Sequence, residues 1–184
     1  MPEVHGITAN TTKRYLVDEG AVYLDYGEGT ELLLGATRGG NRFMVEQEVR
    51  EMEVAGAKGP VKGGSRVVRS VPKIVANMLE ITTEAIKRSL PGADVDAITN
   101  YDKITRDREI ALSDHLVNVA LVGRVSGSAN PAIFIIKNPL GGEGGLTIQM
   151  SDKDEGVIEI TFTGHYDPTD MDTEPWEIRY PDDV

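Results

Sequence analysis

Apolar and polar positions alternate with a period of two over much of the chain, and that period predicts strands. "RFMVEQEVREMEVAG" is the clearest case, with Phe43, Val45 and Val49 on one side of a pleat. The apolar phase then slips to Met52 and Val54. One extra residue produces such a slip, so a β-bulge is expected near Arg50 or Glu51. "RYLVDEGAVYLDYGEG" reads as strand, turn, strand, and "LLLGATRGGN" carries the turn signals of a loop. In the second half, "HLVNVALVGRVSG" alternates through Val117, Val119 and Leu121, and "AIFIIKN" is a short apolar run. "GLTIQM" and "GVIEITFTGHY" flank the turn "SDKDEG", and "NPLGGEGG" reads as a flexible connector.

Two stretches depart from this pattern. In "SRVVRSVPKIVANMLEIT", Ile74, Met78, Ile81 and Ala85 also fit helical spacing. Pro72 and the valine-rich flanks favour an extended strand ending near Ile81. Thr82 or Thr83 can then cap a helix over "TTEAIKRSLPG", about residues 83–90, with Glu84 in its first turn and Pro91-Gly92 as its stop. No period of 20–50 residues repeats, which excludes a solenoid or propeller. The expected fold is mainly β (α+β): a β-sandwich or open barrel of antiparallel strands with one flanking α-helix. It divides into an N-terminal tail (1–12), a β domain (13–164) and a C-terminal arm (165–184).

Composition narrows the function. With 184 residues the chain suits a single core, and with no cysteine it has neither a disulfide framework nor a thiolate metal site. No apolar run approaches the ~18 residues of a membrane span, and "MPEVHGITANTTKRY" lacks the order of a signal peptide. The 19 Lys and Arg against 30 Asp and Glu give a net charge of −11, the reverse of a protein that grips nucleic acid. Catalytic patterns are scarce. His5, His115 and His165 form no metal-binding motif, there is no GxSxG elbow, and "GPVKGGS" has no GK[ST] to make a phosphate loop. No cofactor is implied.

The segment "DPTDMDTEPW" is the one candidate metal site, with Asp167, Asp170, Asp172 and Glu174. Its spacing lacks the turn glycine of a calcium loop. The plainer reading is a solvated acidic arm, stiffened by Pro168, Pro175 and Pro181 and anchored by Trp176, Ile178 and Tyr180. The alternation in "WEIRY" would let it add an edge strand to a neighbour. A calcium-dependent surface- or carbohydrate-binding β-sandwich module is the alternative from a different functional class. Between the two long strands, "AGAKGPVKGG" exceeds the 2–5 residues of an ordinary hairpin turn and offers Lys58 and Lys62 for contact with a partner.

Four stretches, in order, resemble the major tail proteins (tail tube proteins) of long-tailed bacteriophages. They are "LGATRGGNRFMVEQEVREMEVAGAKGPVKG", "ANMLEITTEAIKRSLPGADV", "SDKDEGVIEITFTGHYDPTD" and "EPWEIRYP". The resemblance runs from about Val17 to Pro181. It implies a virion protein, assembled in the host cytoplasm, that forms hexameric rings stacking into a hollow tube through which DNA is ejected. It further implies as partners other copies of the chain, the tape measure, the tail terminator and the distal tail protein. Genomic DNA would pass without tight binding, and no membrane or catalytic residue is involved. Carried onto this chain, Ala55 to Gly64 becomes the ring-stacking loop, with Lys58, Gly59, Pro60 and Lys62 at the interface. Tyr166 to Tyr180 becomes a contacting arm through Tyr166, Trp176, Ile178 and Tyr180.

Overall fold

A computed structural model describes residues 6–107, 109–142, 145, 147, 148 and 155–183, apart from the side chains of residues 19 and 147. His5, Ser151 to Asp154 of the expected turn, and Glu143 and Gly144 of the connector lie outside the described residues. The chain is mainly β, in antiparallel sheets that do not close into a barrel. Among the described residues it has one α-helix.

The strands are β1 (Leu16–Leu24), β2 (Leu32–Leu33), β3 (Arg42–Glu51), β4 (Ser65–Met78), β5 (Ala93–Ile98), β6 (Tyr101–Arg106), β7 (Asn118–Val125), β8 (Ala132–Lys137), β9 (Leu140–Gly141), β10 (Thr147–Ile148), β11 (Ile158–Thr163) and β12 (Trp176–Arg179). Sheet A runs β12-β8-β7-β1-β2, and sheet B runs β10-β11-β4-β3, with β9 also on β11. Among the described residues β5 and β6 pair only with each other.

Alternation sends one face of each sheet inward. Val22, Leu24, Val119, Leu121 and Ile136 come from sheet A, and Ile74, Ala76, Met78, Ile158, Ile160 and Phe162 from sheet B. They form one core, the middle of a sandwich. Each large side chain buried there is worth about 1.5–3 kcal/mol. The helix α1 (Thr83–Ser89) begins as the sequence predicts: the Thr82 side chain accepts from the Ala85 N–H, and Glu84 occupies the first turn.

The structure corrects several expectations. "RYLVDEGAVYLDYGEG" is not two strands with a turn, because β1 runs through it. Its pairing with β7 shifts between Val17 and Ala21, where Asp18 and Gly20 adopt positive φ. A Cβ on Gly20 would sit 3.1 Å from the Val122 carbonyl oxygen. Glycine there lets one strand absorb the bulge that the sequence presents as a turn. The bulge expected at Arg50 or Glu51 lies instead in the opposite strand. Glu48 pairs with Arg69 and Val49 with Val67, so Val68 is the extra residue. Met52 and Val54 fall outside β3, which ends at Glu51, and β4 stops at Met78 rather than near Ile81.

Val117 precedes β7 and is exposed, unlike Val119 and Leu121. The connector is also not free throughout. Leu140–Gly141 pairs with β11, and a Cβ on Gly141 would meet the Ser89 carbonyl oxygen at 2.8 Å, so helix and strand pack at a distance only glycine allows.

Asp25 ties α1 to sheet A. It is buried, and its Oδ2 accepts from the Arg88 guanidinium at 2.8 Å and the Thr30 hydroxyl at 3.2 Å. Its Oδ1 accepts from the Val117 N–H at 3.0 Å. Arg88 also holds Glu84, four residues back along the helix. Asp25→Ala is expected to cost about 3 kcal/mol, because it strands a part-buried guanidinium and an amide together. Urea denaturation measures this, and a loss below about 1 kcal/mol would show that the pair only decorates the surface.

Candidate assembly site

The hairpin β3–β4 leaves the sandwich part way along its length. From Ser70 onward β4 is mostly buried, whereas its first five residues and the last six of β3 are exposed. The inward-facing row turns polar for one pair where the core ends and then turns apolar again. Phe43 pairs with Ile74 and Val45 with Pro72 inside; Gln47 pairs with Ser70 at the boundary, and Val49 with Val67 outside. Val49 and Val67 are 55% and 53% exposed, and the bulge residue Val68 is 53% exposed. Beyond the polar pair, apolar side chains thus face solvent on a projecting ribbon.

The loop at the ribbon's tip carries Lys58, Gly59, Pro60 and Lys62, all exposed. It is folded on itself. The Met52 N–H donates to the Gly64 carbonyl, the Ala57 N–H to Val54 and the Gly64 N–H to Val61, with Gly56 and Gly63 at positive φ. Among the described residues neither lysine has an ion-pair partner, and the exposed Met52, Val54 and Val61 belong to the same tip.

The terminal segment is built around the crossing from sheet B to sheet A. After β11, the Gly164 N–H donates to the Pro72 carbonyl and the His165 N–H to Lys137, one contact on each sheet. A Cβ on Gly164 would press on Pro72 Cγ at 2.9 Å. The following acidic residues make turns. Asp167 Oδ1 accepts from both the N–H and the hydroxyl of Thr169, at 2.8 and 2.6 Å, which holds this exposed carboxyl below its usual range. Asp170 Oδ1 accepts from the Thr173 N–H at 3.3 Å.

One carboxylate oxygen gathers the segment. Glu174 Oε2 accepts from the Ser70 hydroxyl at 2.7 Å, the Tyr166 hydroxyl at 3.1 Å and the Trp176 indole N–H at 3.1 Å. Ser70 is the buried residue at which the projecting ribbon begins, so the clasp fixes the root of the hairpin. Burial and the adjacent Glu174 raise the Tyr166 hydroxyl above its ordinary pKa, so it goes on donating to higher pH than a free tyrosine would.

"WEIRY", which the sequence offered to a neighbour, forms β12 and pairs with β8 of its own sheet. Trp176 is half-buried and packs toward Phe43 of β3, with ring centroids 6.4 Å apart, while Phe43 meets Phe134 at 5.4 Å. β12 and β3 are the edges of the two sheets, so these three rings close one side of the sandwich. Ile178 and Tyr180 remain exposed.

The fold also brings together two histidines distant in sequence. His115 and His165 meet edge to face at 5.0 Å, and each Nδ1–H donates to the Asn138 carbonyl, at 3.1 and 3.3 Å. The sequence reading had no element for residues 93–106. Here the β5–β6 hairpin exposes Ile98 and Tyr101 beside its turn, with Asn100 at positive φ. The paired apolar positions Val95 and Ile104 and the turn "TN" were the available signals.

The chain matches no family model and no curated protein. Among solved structures it is similar to a chain in the virion of a native gene transfer agent particle, at 8% identity and a TM-score of 0.46, covering 88% of this chain and 96% of that one. It is also similar to a chain in the tail of an empty gene transfer agent particle, from helical refinement with C6 symmetry. There the identity is 11% and the TM-score 0.45, covering 81% and 92% of the two chains.

Proposed function

We propose that this chain is the structural subunit of a phage-type tail tube, forming hexameric rings that stack into a hollow conduit for DNA. The observation that carries the reading is the β3–β4 ribbon, which beyond the polar Gln47–Ser70 pair exposes Val49, Val67 and Val68 to solvent. A lone subunit gains nothing from that exposure, and a second copy laid against it would bury these valines. The ordered resemblance to tail tube proteins supports the same reading, because its longest stretch ends in the loop at the ribbon's tip. A contact between two different patches of one subunit is heterologous, and such contacts close into rings or propagate as filaments.

Lys58, Gly59, Pro60 and Lys62 at the tip, with Ile178 and Tyr180 on the exposed edge of β12, are assigned to contacts between subunits. Tyr166 and Trp176 act on those contacts by holding the ribbon's root and closing the sandwich. Negative-stain microscopy of the purified protein tests the proposal. Rings or tubes are the expected result, and monomers at every concentration and salt would overturn it. The net charge of −11 also predicts that duplex DNA passes without being held. In about 0.1 M salt, where screening acts over ~10 Å, a gel-shift assay should detect no micromolar binding. Tight, salt-sensitive retention of DNA would contradict a conduit.

A further inference from the structure

The outer face of sheet A carries a groove of about 570 Å³ at the ends of β7, β8 and β12. Val117, Ile135 and Pro175 give it apolar walls, and Glu28, Asp167, Asp170 and Glu174 line it with carboxylates. Lys137 and Arg179 also border it, but both are engaged with Glu177, at 3.8 and 2.5 Å. Among the described residues the four other carboxylates have no ion pair. The groove is therefore polar over much of its lining, with an excess of negative charge.

The complementary element lies elsewhere in the same chain. From Val54 to Leu79 the sequence contains Lys58, Lys62, Arg66, Arg69 and Lys73 and no acid, in a protein with 30 Asp and Glu. Lys58 and Lys62 flank Gly59, Pro60 and Val61, so the tip of the ribbon presents two cations, unpaired among the described residues, around a small apolar centre. Its glycines carry no side chain to hold the backbone away from a wall. Tip and groove are complementary in sign of charge, and they belong to opposite sheets.

We infer that the groove is the receptor for the 55–64 loop of a second copy of this chain, with Lys58 and Lys62 against Glu28, Asp167, Asp170 and Glu174. This inference rests on the assembly reading above and names both halves of one contact. Charge matching of this kind sets register and partner choice more than strength. It also makes the contact directional, since the loop of one subunit engages the groove of the next.

The absence of cysteine makes the contact measurable. Gly59→Cys goes into one preparation and Thr173→Cys, on the groove rim, into another; a Cβ at Gly59 meets nothing within 4 Å. Mixing and mild oxidation should give the mixed disulfide in preference to either symmetric one. K58E/K62E in the loop partner should slow its formation roughly tenfold, as should high salt. E28K/D170K in the groove partner should restore the rate with the reversed loop. Symmetric loop–loop disulfides alone, or a double-cysteine chain that cross-links only to itself, would overturn the inference. So would cross-linking that requires added calcium, which would assign the groove to a cation. Tubes on the grid without the mixed disulfide would overturn the inference and leave the assembly reading standing, whereas monomers without it would overturn both.

Discussion

Replacing Ala55 to Gly64 by an Asn-Gly turn is expected to leave the subunit folded and to abolish its stacking. The loop contributes no buried side chain, and nine of its ten residues are exposed. Its hydrogen bonds are local, chiefly Ala57 to Val54 and Gly64 to Val61. With Met52, Glu53 and Val54 retained, the new connection would span five residues, within the range of ordinary hairpins. Loop-closure entropy changes by only about 0.6 kcal/mol for each halving of length, so the shorter loop would hold or slightly raise stability. The ribbon would keep Val49 and Val67 but lose both lysines at its tip. Circular dichroism and a urea midpoint check the fold, and microscopy beside wild type checks the particles. Tubes of normal length from the folded variant would remove the loop from the interface. Single rings without tubes would assign the tip to stacking and the ribbon's valines to lateral contacts.

How far the sequence could be read depended on whether the controlling interaction was local. Thr82 caps α1 by bonding an amide three residues on, so the threonine and the following "TEAIKRS" carried the whole signal. The alternation of Ile158, Ile160 and Phe162 announced β11 for the same reason. The bulges did not yield to that approach. The slip to Met52 and Val54 marks no bulge, because both residues lie beyond the end of β3; the bulge is in β4, where only the pairing of Glu48 with Arg69 and Val49 with Val67 makes Val68 the extra residue. In β1, Asp18 and Gly20 are turn formers whose positive φ is used inside a strand, because β7 continues alongside.

The candidate site was legible at its tip and not at its root. Length, glycine content and two lysines marked the 55–64 loop. Nothing local marks Ser70 as the partner of Glu174, 104 residues away, or brings His115 to His165. The acidic run had a local explanation that its composition hid. Asp167 and Asp170 shape turns by accepting from Thr169 and Thr173, so their spacing follows the backbone's needs. The groove needed both: turns that place Asp167 and Asp170, and a long-range sheet that sets Ile135 beneath them.

Trp176→Ala is expected to destabilise the subunit by about 3 kcal/mol, toward the lower end of the range for truncating a core aromatic because the ring is half-buried. The loss has two parts. The indole closes the sandwich between the edge strands β12 and β3, facing Phe43 and, beyond it, Phe134. Its N–H is also one of three donors to Glu174 Oε2. Trp176→Phe keeps a ring in place and drops the donor, so it should cost about 1 kcal/mol. Denaturation followed by circular dichroism measures both, since the alanine variant removes the chain's one tryptophan as a fluorescent probe. Assembly should then follow the fold. Below its lowered midpoint the alanine variant should still form particles, with register disturbed because the clasp at Ser70 is weakened; above it, none. A variant with wild-type stability that forms no particles at any temperature would instead make the indole a direct contact between subunits. In that case the ring would have to leave Phe43 on assembly, and the side of the sandwich it closes would open to admit the neighbour.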